Sequence, residues 1–209
     1  MAQPLELWNS FCSNFHQALT ETPADDLLTA WASHPGRTTF YRRVLQNIAG
    51  KMELSCRGEL FKVDFAMSTK ESDNSVEPVP IVFIETENNA FSCHKEIRKL
   101  ASITAPLKIL VAVVEWDETP GVWSKGSRRK ELLDEWQGII RHYDARWPRS
   151  GLIGIVVGER RPDNLLCFHA CALTSNGELI ATAGDQGQPE IHRRIFSKKL
   201  DWQKYSQPQ

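Results

Sequence analysis

Leu5, Trp8, Cys12, Phe15 and Leu19 recur at three- and four-residue steps, so residues 4–20 are predicted to form an amphipathic helix with one apolar stripe. A second helix is predicted over 24–33, ending before Pro35. A third follows Thr38 or Thr39, with Phe40, Tyr41, Val44, Leu45 and Ile48 on its inner side and Gly50 as its stop. From residue 53 the period shortens. Two β-prone runs, 53–56 and 60–67, flank Arg57-Gly58 and read as a hairpin, and 70–80, polar and holding two prolines, reads as a loop.

Residues 81–84 are apolar on both faces, which predicts a strand inside its sheet with both sides covered. Asn88 or Asn89 can cap a helix over 90–102 whose inward stripe is Cys93, Ile97 and Leu100, and 107–114 is again strand-like. Strand, helix, strand makes a βαβ unit, right-handed with its two strands parallel. A long helix is predicted over 127–147, with Leu132, Leu133, Trp136, Ile139, Ile140, Tyr143 and Trp147 at helical spacing. Three more strands follow, 152–157, 164–173 and 178–183, the last two joined through Asn176-Gly177, while the tail from 186 is expected to be irregular. The class is α/β with a mixed central sheet, in one domain over 1–209 with neither repeat nor linker.

Composition narrows the picture without changing it. With 41% hydrophobic and 24% charged residues in 209, the chain can bury one sizeable core. It shows neither a leader pattern nor an apolar run of membrane-spanning length, and its five cysteines are odd in number and irregularly spaced, so a cytoplasmic protein with free thiols is expected. A net charge of −1 excludes indiscriminate nucleic-acid binding, but Arg42-Arg43, Arg128-Arg129-Lys130, Arg160-Arg161, Arg193-Arg194 and Lys198-Lys199 can supply local basic patches.

The unusual chemistry lies at the end of the apolar strand. Strand side chains alternate, so Glu85 and Glu87 share a face with Phe83, and Asp64 on a neighbouring strand can join them. Such acids repel one another and are costly to desolvate, which a hard divalent cation would relieve. The ligand set expected from the spacing is Asp64, Glu85 and Glu87, around Mg²⁺ or Mn²⁺. Glu53 and Glu59 are further carboxylates near the hairpin.

The order helix, hairpin with Asp64 on its second strand, strand with Glu85-x-Glu87, helix, strand resembles the αβββαβ core of the PD-(D/E)XK nuclease superfamily, over 38–115. The remainder is then an extension over about 126–185 and a tail over 186–209. The resemblance implies Mg²⁺-dependent hydrolysis of phosphodiester bonds in DNA. Asp64 matches the motif Asp and Glu85 its first strand acid, while Glu87 stands where the motif has Lys. Lys62, on the same strand as Asp64, and Lys95 or Lys99, on the following helix, are the candidate replacements. If none reaches the site, the chain is an inactive interaction module on the same fold. A homodimer is left open.

Other constellations are weaker. A thiol hydrolase built on Cys93 lacks a nucleophile-elbow pattern, and Cys167, His169 and Cys171 are spaced too widely along a strand to share one tetrahedral zinc. Trp116 and Trp123, in a loop with Pro120 and Gly121, offer aromatic surface for a base or a partner.

Overall fold

The computed structural model describes residues 3–70, 78–114, 116, 128–161, 163–183, 189–190 and 192–202. Three helices come first: α1 (Pro4–Glu21), α2 (Ala24–Trp31) and α3 (His34–Lys51). The expected start of α3 after Thr38 or Thr39 is corrected to His34, five or six residues earlier. Ser33 accepts a hydrogen bond from Gly36 N at 3.1 Å, and Pro35 sits in the first turn, where its missing N–H would have had no helical partner.

Strands β1 (Leu54–Leu60), β2 (Val63–Thr69) and β3 (Pro80–Glu87) form an antiparallel meander. Next come α4 (Cys93–Ser102), β4 (Leu107–Val113), α5 (Arg128–Asp144), β5 (Leu152–Arg160) and β6 (Leu165–Leu173). Short pieces β7 (Leu179–Ile180), β8 (Thr182–Ala183) and β9 (Pro189–Glu190) precede β10 (Arg193–Lys199). The sheet order is β1-β2-β3-β4-β5-β6-β10, with β7 also on β6 and β8 pairing β9 apart. Only β3-β4 and β4-β5 are parallel, so the sheet is mixed, as the sequence predicts.

Both parallel connections advance in the same direction along the sheet, and right-handed crossovers then place α4 and α5 on one face. They pack there with Phe83, Leu110, Ile153, Ile155 and Val157. The opposite face carries Phe65, Val82, Ile84, Ile109 and Phe168 and is covered by α1, α2 and α3. The alternation of β3 and β4 thus divides the apolar residues into two cores with the sheet between them.

Two local expectations are revised. The first hairpin turns at Phe61-Lys62 rather than Arg57-Gly58: Leu60 pairs with Val63, and β1 runs straight through Gly58. The segment expected to be irregular after 186 contains β10, which pairs antiparallel with β6 from Arg193 to Lys199 with a register shift between Arg194 and Phe196. This strand also meets the first helix, where His16 Nδ1 lies 2.5 Å from Ile195 O and Lys198 Nζ donates to Thr22 O at 3.1 Å.

Candidate functional site

Antiparallel register sets Phe65 opposite Ile84, so Asp64 and Glu85 face each other across β2 and β3 on the side covered by α4. Parallel register sets Glu85 beside Leu110 and Glu87 beside Ala112, both residues of that same core. All three acids therefore lie toward the α4 face at one end of the sheet. Their carboxylates then take different partners.

Glu85 is 1% exposed and faces the Lys99 ammonium, which lies 2.7 Å from its Oε1. Lys99 lies equally close to Glu96 Oε2 and donates a hydrogen bond to the Lys62 carbonyl at 3.0 Å. Both carboxylate oxygens are buried and meet the same ammonium at ion-pair distance. Burial pushes the Glu85 pKa up to about 8; Lys99 pulls it down, and the negative charges of Asp64 and Glu96 push it up again. Burial acts to lower the Lys99 pKa, but its two carboxylate partners outweigh that and raise it.

Asp64 is half-buried and accepts two bonds on Oδ2, from Thr86 N at 2.8 Å and Thr86 Oγ1 at 2.6 Å. Glu87 turns away along its own strand end and accepts from Asn89 N at 2.8 Å. Among the described residues no group of three or more His, Cys, Asp or Glu lies close enough together to hold a metal ion. The structure thus brings Asp64, Glu85 and Lys99 together and sets Glu87 to one side.

Of the candidate lysines, Lys99 alone pairs with a carboxylate of this group among the described residues. Lys62 contributes its backbone carbonyl and leaves its side chain in solvent, and Lys95 is exposed. Glu96, which the sequence reading missed, completes the cluster. Its signal was the i,i+3 spacing to Lys99, an everyday helix pair that does not by itself point inward. Glu53 and Glu59 are exposed residues with positive φ.

The connection from β3 to α4 is built by polar residues. Asn89 Oδ1 accepts from Phe91 N, and Asn88 Oδ1 accepts from Nε of the buried Arg37 at 2.5 Å. The helix begins at Cys93, three residues later than predicted, because residues 90–92 form a turn closed by Ser92 N to Asn89 O. Trp116 is a core residue stacked on Trp136 with centroids 6.1 Å apart, so it offers no surface for a base. Trp123 lies outside the described residues.

No family model and no curated protein matches the sequence. Among solved structures, the chain is similar to the central domain of yeast acetyl-CoA carboxylase at 9% identity and a TM-score of 0.43, over 74% of this chain and 27% of that one. It is also similar to a carbon-nitrogen hydrolase from Helicobacter pylori G27 at 11% identity and a TM-score of 0.38, over 97% of this chain and 76% of that one. The chain thus spans about a quarter of the carboxylase structure. Similarities at this level carry no argument about function.

Proposed function

We propose that this chain is a Mg²⁺-dependent nuclease acting on DNA, in which Lys99 takes the part of the lysine that the strand motif lacks. The observation that carries this reading is the Lys99 ammonium, delivered from α4 to within 2.7 Å of Glu85 on the face that Asp64 shares. Substituting Glu87 for the motif lysine is thereby compensated in space. The donors suit a hard cation: both are carboxylates, Lys99 meets Glu85 through Oε1, and both Thr86 bonds fall on one oxygen of Asp64. Held by Asp64 and Glu85, Mg²⁺ or Mn²⁺ would offset charge on the phosphorane and lower the pKa of a bound water. Lys99 would orient that water and stabilise developing charge, while Glu96 keeps the ammonium protonated and extended.

A second reading, a non-catalytic interaction module, is favoured by one specific feature. Lys99 already pairs with both Glu85 and Glu96, so part of the buried negative charge is offset without a cation. Thermal melting separates the two. A site that binds only the folded state contributes about 2.7 kcal/mol at a hundredfold excess over Kd, which for a chain of this size is roughly 5–10 °C in Tm. The nuclease reading expects that rise with Mn²⁺ in the wild type and its loss in Asp64→Asn, together with Mg²⁺-dependent cleavage of plasmid or single-stranded DNA that Asp64→Asn and Lys99→Met abolish. A flat melting temperature and no cleavage under either metal would leave the interaction module.

A further inference from the structure

Two large apolar side chains stand out in solvent around this site. Phe61 and Phe91 are each 76% exposed. Phe61 sits in the two-residue turn between β1 and β2, where it and Lys62 have φ of 52° and 63°. A left-handed backbone is costly for a bulky side chain and turns of this sign pattern favour Asn and Gly, so the local preference is broken at both positions. Strained backbone of this kind concentrates at functional sites. The turn is also tied to the carboxylates, because the ammonium paired with Glu85 is the same one that bonds the Lys62 carbonyl.

Phe91 lies four residues beyond Glu87, in the connection to α4, and its orientation is set from one side. The Arg128 guanidinium, at the start of α5, lies 5.3 Å from its ring centroid. Most of the ring remains in solvent. Because β2 runs antiparallel to β3, the Phe61 turn and the Phe91 connection lie at the same end of the sheet. Phe61 is on the β1-β2 side of the acids, and Phe91, beneath Arg128, is on the α5 side. The exposed ammonium groups of Lys62 and Lys95 accompany them.

We propose that Phe61 and Phe91 are base-stacking residues that select unpaired DNA, taking one nucleobase on each side of the phosphodiester presented to Asp64, Glu85 and Lys99. The proposal rests on the nuclease reading for the position of that phosphodiester. Its logic is that an exposed ring gains little in water but offers every base a π-face, whereas bases inside a duplex are already stacked. Sequence-tolerant binding of single strands follows, with Lys62 and Lys95 on the flanking phosphates.

The test measures fluorescence anisotropy of a labelled oligothymidylate and of a blunt duplex, in Ca²⁺ buffer, with wild type, Phe61→Gly, Phe61→Trp and Phe91→Ala. Phe61→Gly removes the ring while relieving the strained φ, so its melting temperature should equal or exceed the wild type's and misfolding cannot explain its loss of binding. Expected are about tenfold weaker single-strand binding for Phe61→Gly and for Phe91→Ala, retention by Phe61→Trp, and unchanged duplex binding. Absence of single-strand binding by the wild type, unchanged affinity in both ring variants, or equal losses on duplex would overturn the proposal. Parallel Mg²⁺ cleavage assays with Asp64→Ala separate it from the reading beneath it. Asp64-dependent cleavage indifferent to the rings sinks the stacking role alone, and ring-dependent binding without any cleavage sinks the nuclease reading and with it the placement of the phosphodiester, leaving a single-strand binding surface.

Discussion

Lys108 is the second residue of the apolar strand β4, 1% exposed, between Phe83 and Ile153, with its Nζ donating to Ser150 O at 2.9 Å. Burial, and secondarily the positive charge of Arg149, lower its pKa to about 8. Below pH 8 the ammonium is present in both folded and unfolded chains, so the full penalty of burying it opposes folding. Between about 8 and the unfolded value near 10.4 the folded chain loses its proton first, and the penalty recedes as pH rises. Lys108→Met is therefore expected to be more stable than wild type at pH 7 by on the order of 1–3 kcal/mol, with the advantage shrinking toward pH 10. Urea denaturation at the two pH values measures it; an equal gain at both would assign the effect to packing. At this scale the sequence marks Glu85 well, since an acid closing an apolar run demands a partner. It does not mark Glu96 or the burial of Lys108, because a helical acid three residues before a lysine and a lysine inside a strand both occur routinely on solvated surfaces.

Among the elements, β3, β4 and their connecting α4 are legible because their periods are clean and their lengths match what a βαβ unit needs. The first hairpin is misplaced for a physical reason. Gly58 offers the expected turn chemistry, yet the chain turns at Phe61 and Lys62, against local preference and beside the candidate site. Strand β10 is hidden by its four basic residues, Arg193, Arg194, Lys198 and Lys199, which read as solvated charge but suit a sheet edge protected from pairing with other chains. Close packing between elements gives a sharp contrast in glycine substitutions. A Cβ at Gly154 on β5 would come within 2.2 Å of the fully buried Trp8 ring of α1, whereas one at Gly50 on α3 meets nothing within 4 Å. Gly154→Ala is expected to lose about 2–3 kcal/mol through overpacking, and Gly50→Ala to gain about 0.5–1 kcal/mol. Thermal melts of the pair decide it, and equal values would refute the α1-β5 packing described above.

Across the whole molecule, the mixed sheet separates two cores, and four of the five cysteines are buried in the interior. Burial raises the thiols of Cys12, Cys93 and Cys171 to about 12, which leaves them protonated and unreactive at neutral pH. The native protein should therefore offer a thiol reagent at most the half-buried Cys56, and all five groups after denaturation in guanidinium. Rapid modification of Cys93 with loss of activity would instead favour thiol chemistry. No helix among the described residues is long and apolar enough to cross a membrane.

The pairing of β10 with β6 and its contacts with α1 also have a bearing on biosynthesis. The first helix packs on α3, which follows it closely in the chain, but also on β4, β5 and β10, so part of its apolar stripe stays uncovered until those later strands have been made. Holdase chaperones that recognise exposed aromatic helices would find Trp8 available until Gly154 of β5 emerges and Phe15 until Phe168 of β6 does.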